Sequence, residues 1–171
     1  DKVLEEMRRG YTADDFRRLI KRAREIIPNV SIGNDIIVGF PGETEEEFNR
    51  TVELIEELRL DVMHLARYSP RKGTISATRM VDDVTDEEKW RRFRILENLQ
   101  EEISLEIHQR YVGETTEVLF EALHKGRWRG RNPNNKLVFV ENELDLKGKI
   151  LAVRIETVGA WSMVGSLAES T

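Results

Sequence analysis

The sequence predicts an α/β segment followed, after a long connecting helix, by a small all-β barrel. Three observations carry that expectation. The run from Asp35 to Phe48 reads as a strand passing through a Pro-Gly turn into a capped helix, one unit of a parallel α/β fold. Thr85, with Glu88 three residues on, forms a capping-box pattern at the head of a long helix that Gly113 ends. After Gly113, short β-rich runs alternate with Gly, Asn and Pro turns, as in a closed or nearly closed barrel of the OB-like kind.

Each element follows from its residues. Lys2 to Met7 is a short amphipathic piece that Gly10-Tyr11-Thr12 interrupts. Thr12 suits an N-cap and Asp14 and Asp15 suit the first turn of a helix running to about Ile27. Phe16, Leu19, Ile20, Ala23 and Ile26 or Ile27 fall on one face of that helix. Pro28-Asn29 stops it, and Val30 to Gly39 holds a strand whose apolar part is Ile36 to Gly39. Glu45 to Leu58 is the next helix, with Phe48, Val52, Leu54 or Ile55, and Leu58 inward. Asp61 to Tyr68 is a second strand, and Ser69 to Thr74 a turn at its carboxyl end. The order α-β-α-β is the tail of a parallel barrel or a doubly wound sheet. Two such strands leave faces and edges uncovered, so further strands are expected before Asp1. The opening at Asp1 without an initiator Met carries the same expectation of an excised piece.

The long helix extends to about Tyr111, with Trp90, Phe93, Leu96, Leu99 or Gln100, Ile103 and Ile107 as its expected buried stripe. Strands are then expected over Thr116 to Leu123, Lys136 to Glu141, Lys149 to Val158 and Ser162 to Leu167. The expected domain boundary lies near Val112, giving regions 1–112 and 113–171.

Composition sets bounds. The 171 residues are 39% hydrophobic and 35% charged, a highly charged globular chain. No apolar run approaches a membrane span, and no signal-peptide pattern opens the chain. There is no cysteine, which excludes disulfides and allows a cytoplasmic setting. The net charge of −5 is unevenly placed: from Gly113 onward eight acids balance eight bases, so residues 1–112 carry all of it.

Two segments point to chemistry. The Gly-Phe-Pro-Gly-Glu-Thr turn from Gly39 to Thr44 sits at a strand's carboxyl end, where parallel α/β folds bind ligands, and Gly39 and Gly42 leave backbone open to close approach. Ile37, Val38 and Gly39, with Arg67 and Tyr68 ending the next strand, are the candidate ligand-facing residues. An ordinary tight βα turn is the plainer reading of the same residues. The second segment, His124 to Lys136, holds Lys125, Arg127, Arg129, Arg131 and Lys136 with no acid. Lys and Arg neutralise phosphates, Trp128 among them could stack on an unpaired base, and Asn134 and Asn135 offer paired donors and acceptors. A merely solvated hairpin is the alternative. His64 and His108 lack partners at metal spacing and read as core or surface histidines. Glu45-Glu46-Glu47 matches a helix dipole. Arg91, Arg92 and Arg94 read as a solvated helix face and Trp90 and Phe93 as packing. No catalytic or metal-ligating residue is assigned.

These segments also carry a resemblance. Asp35 to Thr44 resembles the fifth strand and following turn of radical S-adenosylmethionine (SAM) enzymes, above all the tRNA methylthiotransferases. Val3 to Thr12 is similar to the segment after their fourth barrel strand, and Tyr68 to Thr74 to their Tyr-Ser-Pro-Arg-x-Gly-Thr. Gly130 to Phe139 and Ile155 to Gly165 resemble the Gly-Arg-Thr-x-x-Asn-Lys/Arg-Val-Val run and the Trp-Ser-Leu-x-Gly close of their TRAM domain. Ile75-Ser76-Ala77-Thr78, where Pro-Ala-Ala is usual, and Asn34, where Thr or Ser is usual, depart from the pattern.

The resemblance implies the C-terminal part of a radical SAM (β/α) partial barrel, then a TRAM barrel that binds the tRNA anticodon stem-loop. It implies transfer of a methylthio group to C2 of N6-dimethylallyl- or isopentenyladenosine beside the anticodon. It also implies SAM and two [4Fe–4S] clusters in the full-length parent. Cluster ligands are cysteine thiolates, so this fragment alone is expected to be inactive. A related enzyme acting on threonylcarbamoyladenosine or a ribosomal protein, and a non-catalytic RNA-binding module, remain the alternatives.

Overall fold

The structure is a computed structural model that describes residues 1–168. The expected barrel region therefore has its last residues, 169–171, outside the described part. The chain divides into two compact units, Asp1–Gln100 and Glu101–Thr171. The division falls inside the long helix, whose last turns go with the second unit, rather than at Val112.

In the first unit, α1 (Lys2–Glu6) precedes α2 (Ala13–Ile26), β1 (Gly33–Val38), α3 (Glu45–Leu58), β2 (Val62–Arg67) and α4 (Ile75–Arg79). Helix α5 (Asp86–Gln109) begins here. Thr12 and Thr44 each cap a helix through a full capping box, closed by Asp15 and Glu47 at N3. Arg59 ends α3 in the left-handed region. Strands β1 and β2 are parallel and in register from Gly33–Val62 to Val38–Arg67. Ile36 and Val38 on β1 and Met63 on β2 are buried, while Asp35, His64 and Ala66 on the alternate face are exposed and Ile37 is half-buried. Phe48, Ile55 and Leu58 make the buried stripe of α3, as its spacing predicts.

Two helices depart from expectation. In α2 only Ile20 is buried, and Leu19, Ile26 and Ile27 are exposed. In α5 the buried residues are Lys89, Arg92, Leu96, Gln100, Ile103, Ser104 and His108. Leu96, Gln100 and Ile103 lie on the expected stripe, but Trp90 at its start is 44% exposed, and the polar Lys89, Arg92, Ser104 and His108 are buried where the apolar pattern gave no sign. Thr85 does receive the Glu88 N–H at 3.2 Å, yet the Glu88 carboxylate turns to arginines on its own helix instead of closing the box. Helix α4, capped by Thr74, follows the expected Ser69–Thr74 turn where the sequence gave no element.

The second unit is a closed barrel ordered β3-β4-β5-β7-β6. Its strands are β3 (Thr115–His124), β4 (Arg127–Arg131), β5 (Leu137–Val140), β6 (Ile150–Val158) and β7 (Met163–Leu167). All neighbours are antiparallel except β5 and β7. Val118, Phe120, Trp128, Val138, Val140, Leu146, Val153, Ile155 and Met163 fill the interior. A barrel this narrow needs gaps where strands approach. A side chain's Cβ at Gly165 would lie 2.2 Å from the Arg154 carbonyl oxygen, and one at Gly130 would lie 2.4 Å from that of Leu119.

Candidate strand-end site and nucleic-acid interface

In the first unit the turn after β1 is braced rather than open. Gly39 has φ +70, and a Cβ there would meet the Lys89 Cγ at 2.3 Å. The missing side chain therefore makes room for the stem of Lys89. Lys89 is buried and its ammonium donates to both Asp82 carboxylate oxygens, at 2.6 and 2.8 Å, 5.4 Å from the Tyr68 ring centre. Glu43, also buried, accepts from the Gly39 N–H and from Arg92, each at 2.7 Å. The Arg92 guanidinium reaches the Glu43 carbonyl at 3.0 Å and Glu88 at 2.7 Å. Asp83 receives the Gly42 N–H at 2.7 Å.

The electrostatics follow. Hydrogen bonds from Arg91 lead in holding the Glu88 carboxyl down at about 2, with Arg92 adding to them against partial desolvation. Burial works against the Arg92 charge, but Glu43 and Glu88 overcome it and raise its pKa. Arg92 is thus not part of a solvated face, and Arg91 is tied to Glu88 and Glu45. Glu45 serves as an ion-pair partner as well as a first-turn acid.

The expected ligand-facing residues do not share one face. Strand alternation turns the Val38 side chain, 1% exposed, into the buried layer, and the Arg67 guanidinium lies 3.8 Å over the Trp90 ring on α5. Tyr68 meets Phe40 edge-on at 5.3 Å. Ile37 alone of the named strand side chains lies on the open face, beside Ala66. That face suits contact with an apolar or aromatic ring. It offers no thiolate for an iron–sulfur cluster, since the chain has no cysteine. Among the described residues no group of three or more His, Asp or Glu could hold a metal ion. His64 is exposed on this face.

In the barrel, Lys125 (φ 49) and Gly126 (φ 81) join β3 to β4 as a two-residue turn with both residues at positive φ, the geometry of a tight hairpin. Alternation on β4 then decides the interface. Arg129 and Arg131 are exposed and Arg127 is half-buried, its guanidinium 5.1 Å from the Phe139 ring centre. Trp128, between them, points inward and is 8% exposed, a core residue. The expectation of an exposed, stacking Trp128 is corrected for this reason: on a strand whose arginines face water, the residue between them cannot.

Lys136 is likewise buried and does not join the positive face. Its backbone N–H, with that of Asn134, donates to the Asn132 side-chain oxygen, at 2.9 and 3.1 Å. Asn132, buried and not foreseen as important, therefore shapes the β4–β5 turn; the Asn-Pro pair was the available signal. Asn135 is exposed at φ 59, and its carbonyl accepts from Arg131 at 2.9 Å. His108, near the end of α5, is buried with Nδ1 2.7 Å from the Gly159 carbonyl oxygen. A carbonyl only accepts, so Nδ1 carries the proton.

Two family models match separate stretches of the chain. The family model described as Radical SAM superfamily matches residues 1–55, and that described as TRAM domain matches 109–168. The tRNA-2-methylthio-N(6)-dimethylallyladenosine synthase of Herpetosiphon aurantiacus is 46% identical over 100% of this chain and 40% of its own length. The synthases of Dehalococcoides mccartyi (41% identical, 98% of this chain, 40% of its own length) and Thermotoga petrophila (40%, 98% and 38%) are similar to it. A solved multidomain protein with nucleic acid binding domains from Streptococcus pneumoniae aligns at TM-score 0.31 and 17% identity over 39% of this chain and 28% of that one, too loosely to bear on the argument. The chain thus spans about 40% of the length of the curated relatives it matches. Matched from end to end in this way, the chain is similar over its whole length to part of these synthases, with a stretch matching the radical SAM superfamily followed by one matching the TRAM domain.

Proposed function

We propose that this chain supplies the closing strands of a SAM-binding (β/α) barrel and the tRNA-holding barrel of an enzyme that methylthiolates C2 of N6-dimethylallyladenosine beside the anticodon. The observation that carries the RNA part is β4, which turns Arg129 and Arg131 outward in a segment, His124 to Lys136, that holds no acid. The relatives' named activity supports the rest. Bound SAM and iron–sulfur clusters would supply the radical chemistry, with the cluster thiolates on residues outside this sequence. No helix of the described residues is long and apolar enough to cross a membrane, and a cytoplasmic setting goes with a tRNA substrate.

Within this reading the open face of β1 and β2, at Ile37 and Ala66, lies along the adenosine of SAM, and Gly39 and Tyr68 form its rim. Val38 contributes only its backbone, and Arg67 holds Trp90 instead. In the full-length enzyme Ile37→Ser should weaken equilibrium SAM binding measured by calorimetry, and equal SAM affinity in that variant would remove Ile37 from the site.

The RNA part is tested on the 171-residue chain with a labelled anticodon stem-loop over a salt series. Arg129→Ala and Arg131→Ala should each lower the slope of log affinity against log salt by roughly 0.7–0.9 per lost phosphate contact. Affinity and slope unchanged in both would leave the hairpin merely solvated. The chain alone should not methylthiolate.

A further inference from the structure

With Trp128 buried, the barrel needs another aromatic if it is to hold an unpaired base, and Trp161 stands exposed at 58%. It sits in the turn between β6 and β7, a place no strand pattern requires to be aromatic. The turn is fixed from two sides. The Gly159 N–H donates to the Ser162 carbonyl at 2.8 Å, and the protonated Nδ1 of His108 holds the Gly159 carbonyl at 2.7 Å. A large ring on a braced turn loses little freedom when it binds.

Its location follows from topology. Strands β5 and β7 are parallel neighbours, with Val138 opposite Met163. Both therefore start at the same end of the barrel, about 4.8 Å apart. The turn that ends at Ser162 and the turn that ends at Lys136 enter these strands side by side. Trp161 thus shares a rim with Asn134, the exposed Asn135 and the Arg131 guanidinium that grips the Asn135 carbonyl. A ring for stacking, a cation for phosphate and an amide for base edges lie together there.

We infer that Trp161 is the base-stacking platform of the barrel and that this rim takes an unpaired ribonucleotide. The inference rests on the RNA reading above and names the subsite within it. The occupant is RNA rather than another protein because the neighbouring segment from His124 to Lys136 holds no acid and exposes Arg129 and Arg131, against which the adjacent strand brings one carboxylate, Glu121, 3.8 Å from Arg131.

The test uses the 171-residue chain, a labelled unpaired oligoribonucleotide and the same sequence paired as a duplex. Trp161→Ala should weaken binding of the unpaired RNA about five- to a hundredfold, with the salt slope unchanged, and leave duplex binding as it was. Trp161→Phe should restore most of the affinity, and thermal melts should show both variants folded. Undiminished affinity in Trp161→Ala, an equal loss on the duplex, or failure of Phe to restore binding would each overturn the inference. If Arg129→Ala and Arg131→Ala lower the salt slope while Trp161→Ala does nothing, the RNA reading stands and the stacking site falls. If the unaltered chain binds neither RNA in a salt-dependent way, both fall.

Discussion

Removing the Arg92 guanidinium should be among the most damaging single changes in the first unit. Arg92 and Glu43 side chains are each only 5% exposed, and their charged atoms lie 2.7 Å apart. Arg92→Met would leave the Glu43 carboxylate buried, with the Gly39 N–H at 2.7 Å as its remaining donor among the described residues. Breaking a buried pair from one side costs about 3–5 kcal/mol, most of it the uncompensated charge. Glu43→Gln is gentler. The amide oxygen can still take the Gly39 N–H, and Arg92 keeps Glu88 at 2.7 Å, so about 1–3 kcal/mol is expected. The double variant should cost less than the two singles together, because neither charge is left alone. With a urea slope of about 2 kcal/mol/M, Arg92→Met should lower the midpoint by about 2 M. Because the chain has two units, the assay is a urea series read by hydrogen exchange and mass spectrometry, following peptides over 33–48 apart from those over 115–140. Only the former should lose protection. A fall of less than about 0.5 M, or a Glu43→Gln variant as unstable as Arg92→Met, would refute the account of this pair.

Acid should loosen the same unit: the Glu88 carboxyl sits at about 2 in the fold against 4.5 unfolded, so its contribution is present above about pH 4.5 and lost as pH falls toward 2. An acid titration followed through the 86–100 peptides should show this, and Glu88→Gln should flatten it. Gly165→Ala should destabilise the barrel by about 1–3 kcal/mol or more, since its Cβ would press on the Arg154 carbonyl, as thermal melts of the variant would show. Trp128→Ala should cost about 3–5 kcal/mol by opening a core cavity, while Trp128→Phe, if folded by circular dichroism, should bind RNA with near-normal affinity.

The legible parts of the fold were those where one local rule sufficed. Thr12, Thr44 and Thr85 were read as helix starts because a hydroxyl before an acidic first turn has one common use, and each hydroxyl accepts the expected backbone N–H. Helix α3 ends where its pattern ends, and the strand–turn–helix unit gave the parallel pairing of β1 with β2. The buried face of α5 was legible at Leu96, Gln100 and Ile103 but not at its charged positions. Lys89 and Arg92 are buried because each finds a carboxylate partner from outside the helix: Asp82 for the first and Glu43 for the second. A pattern that counts only apolar residues assigns such positions to solvent, and it put Trp90 inward instead.

The nucleic-acid face shows how composition and geometry part company. Read as a set, Arg127, Trp128 and Arg129 describe an ideal RNA contact, with cations flanking a ring. Read as a strand, they cannot all act together, because the period of two gives the arginines one face and the tryptophan the other. The same parity separates Ile37 from Val38 on β1. In each place the sequence holds the right types of side chain, and alternation selects which of them can meet a ligand. Trp161 escapes that selection because it lies in a turn, where no alternation applies and a hydrogen bond from His108 fixes the backbone. An aromatic that no strand buries, on a turn held from a buried histidine, is what the barrel has available at its rim, and the RNA contact should be sought there before it is sought on β4 alone.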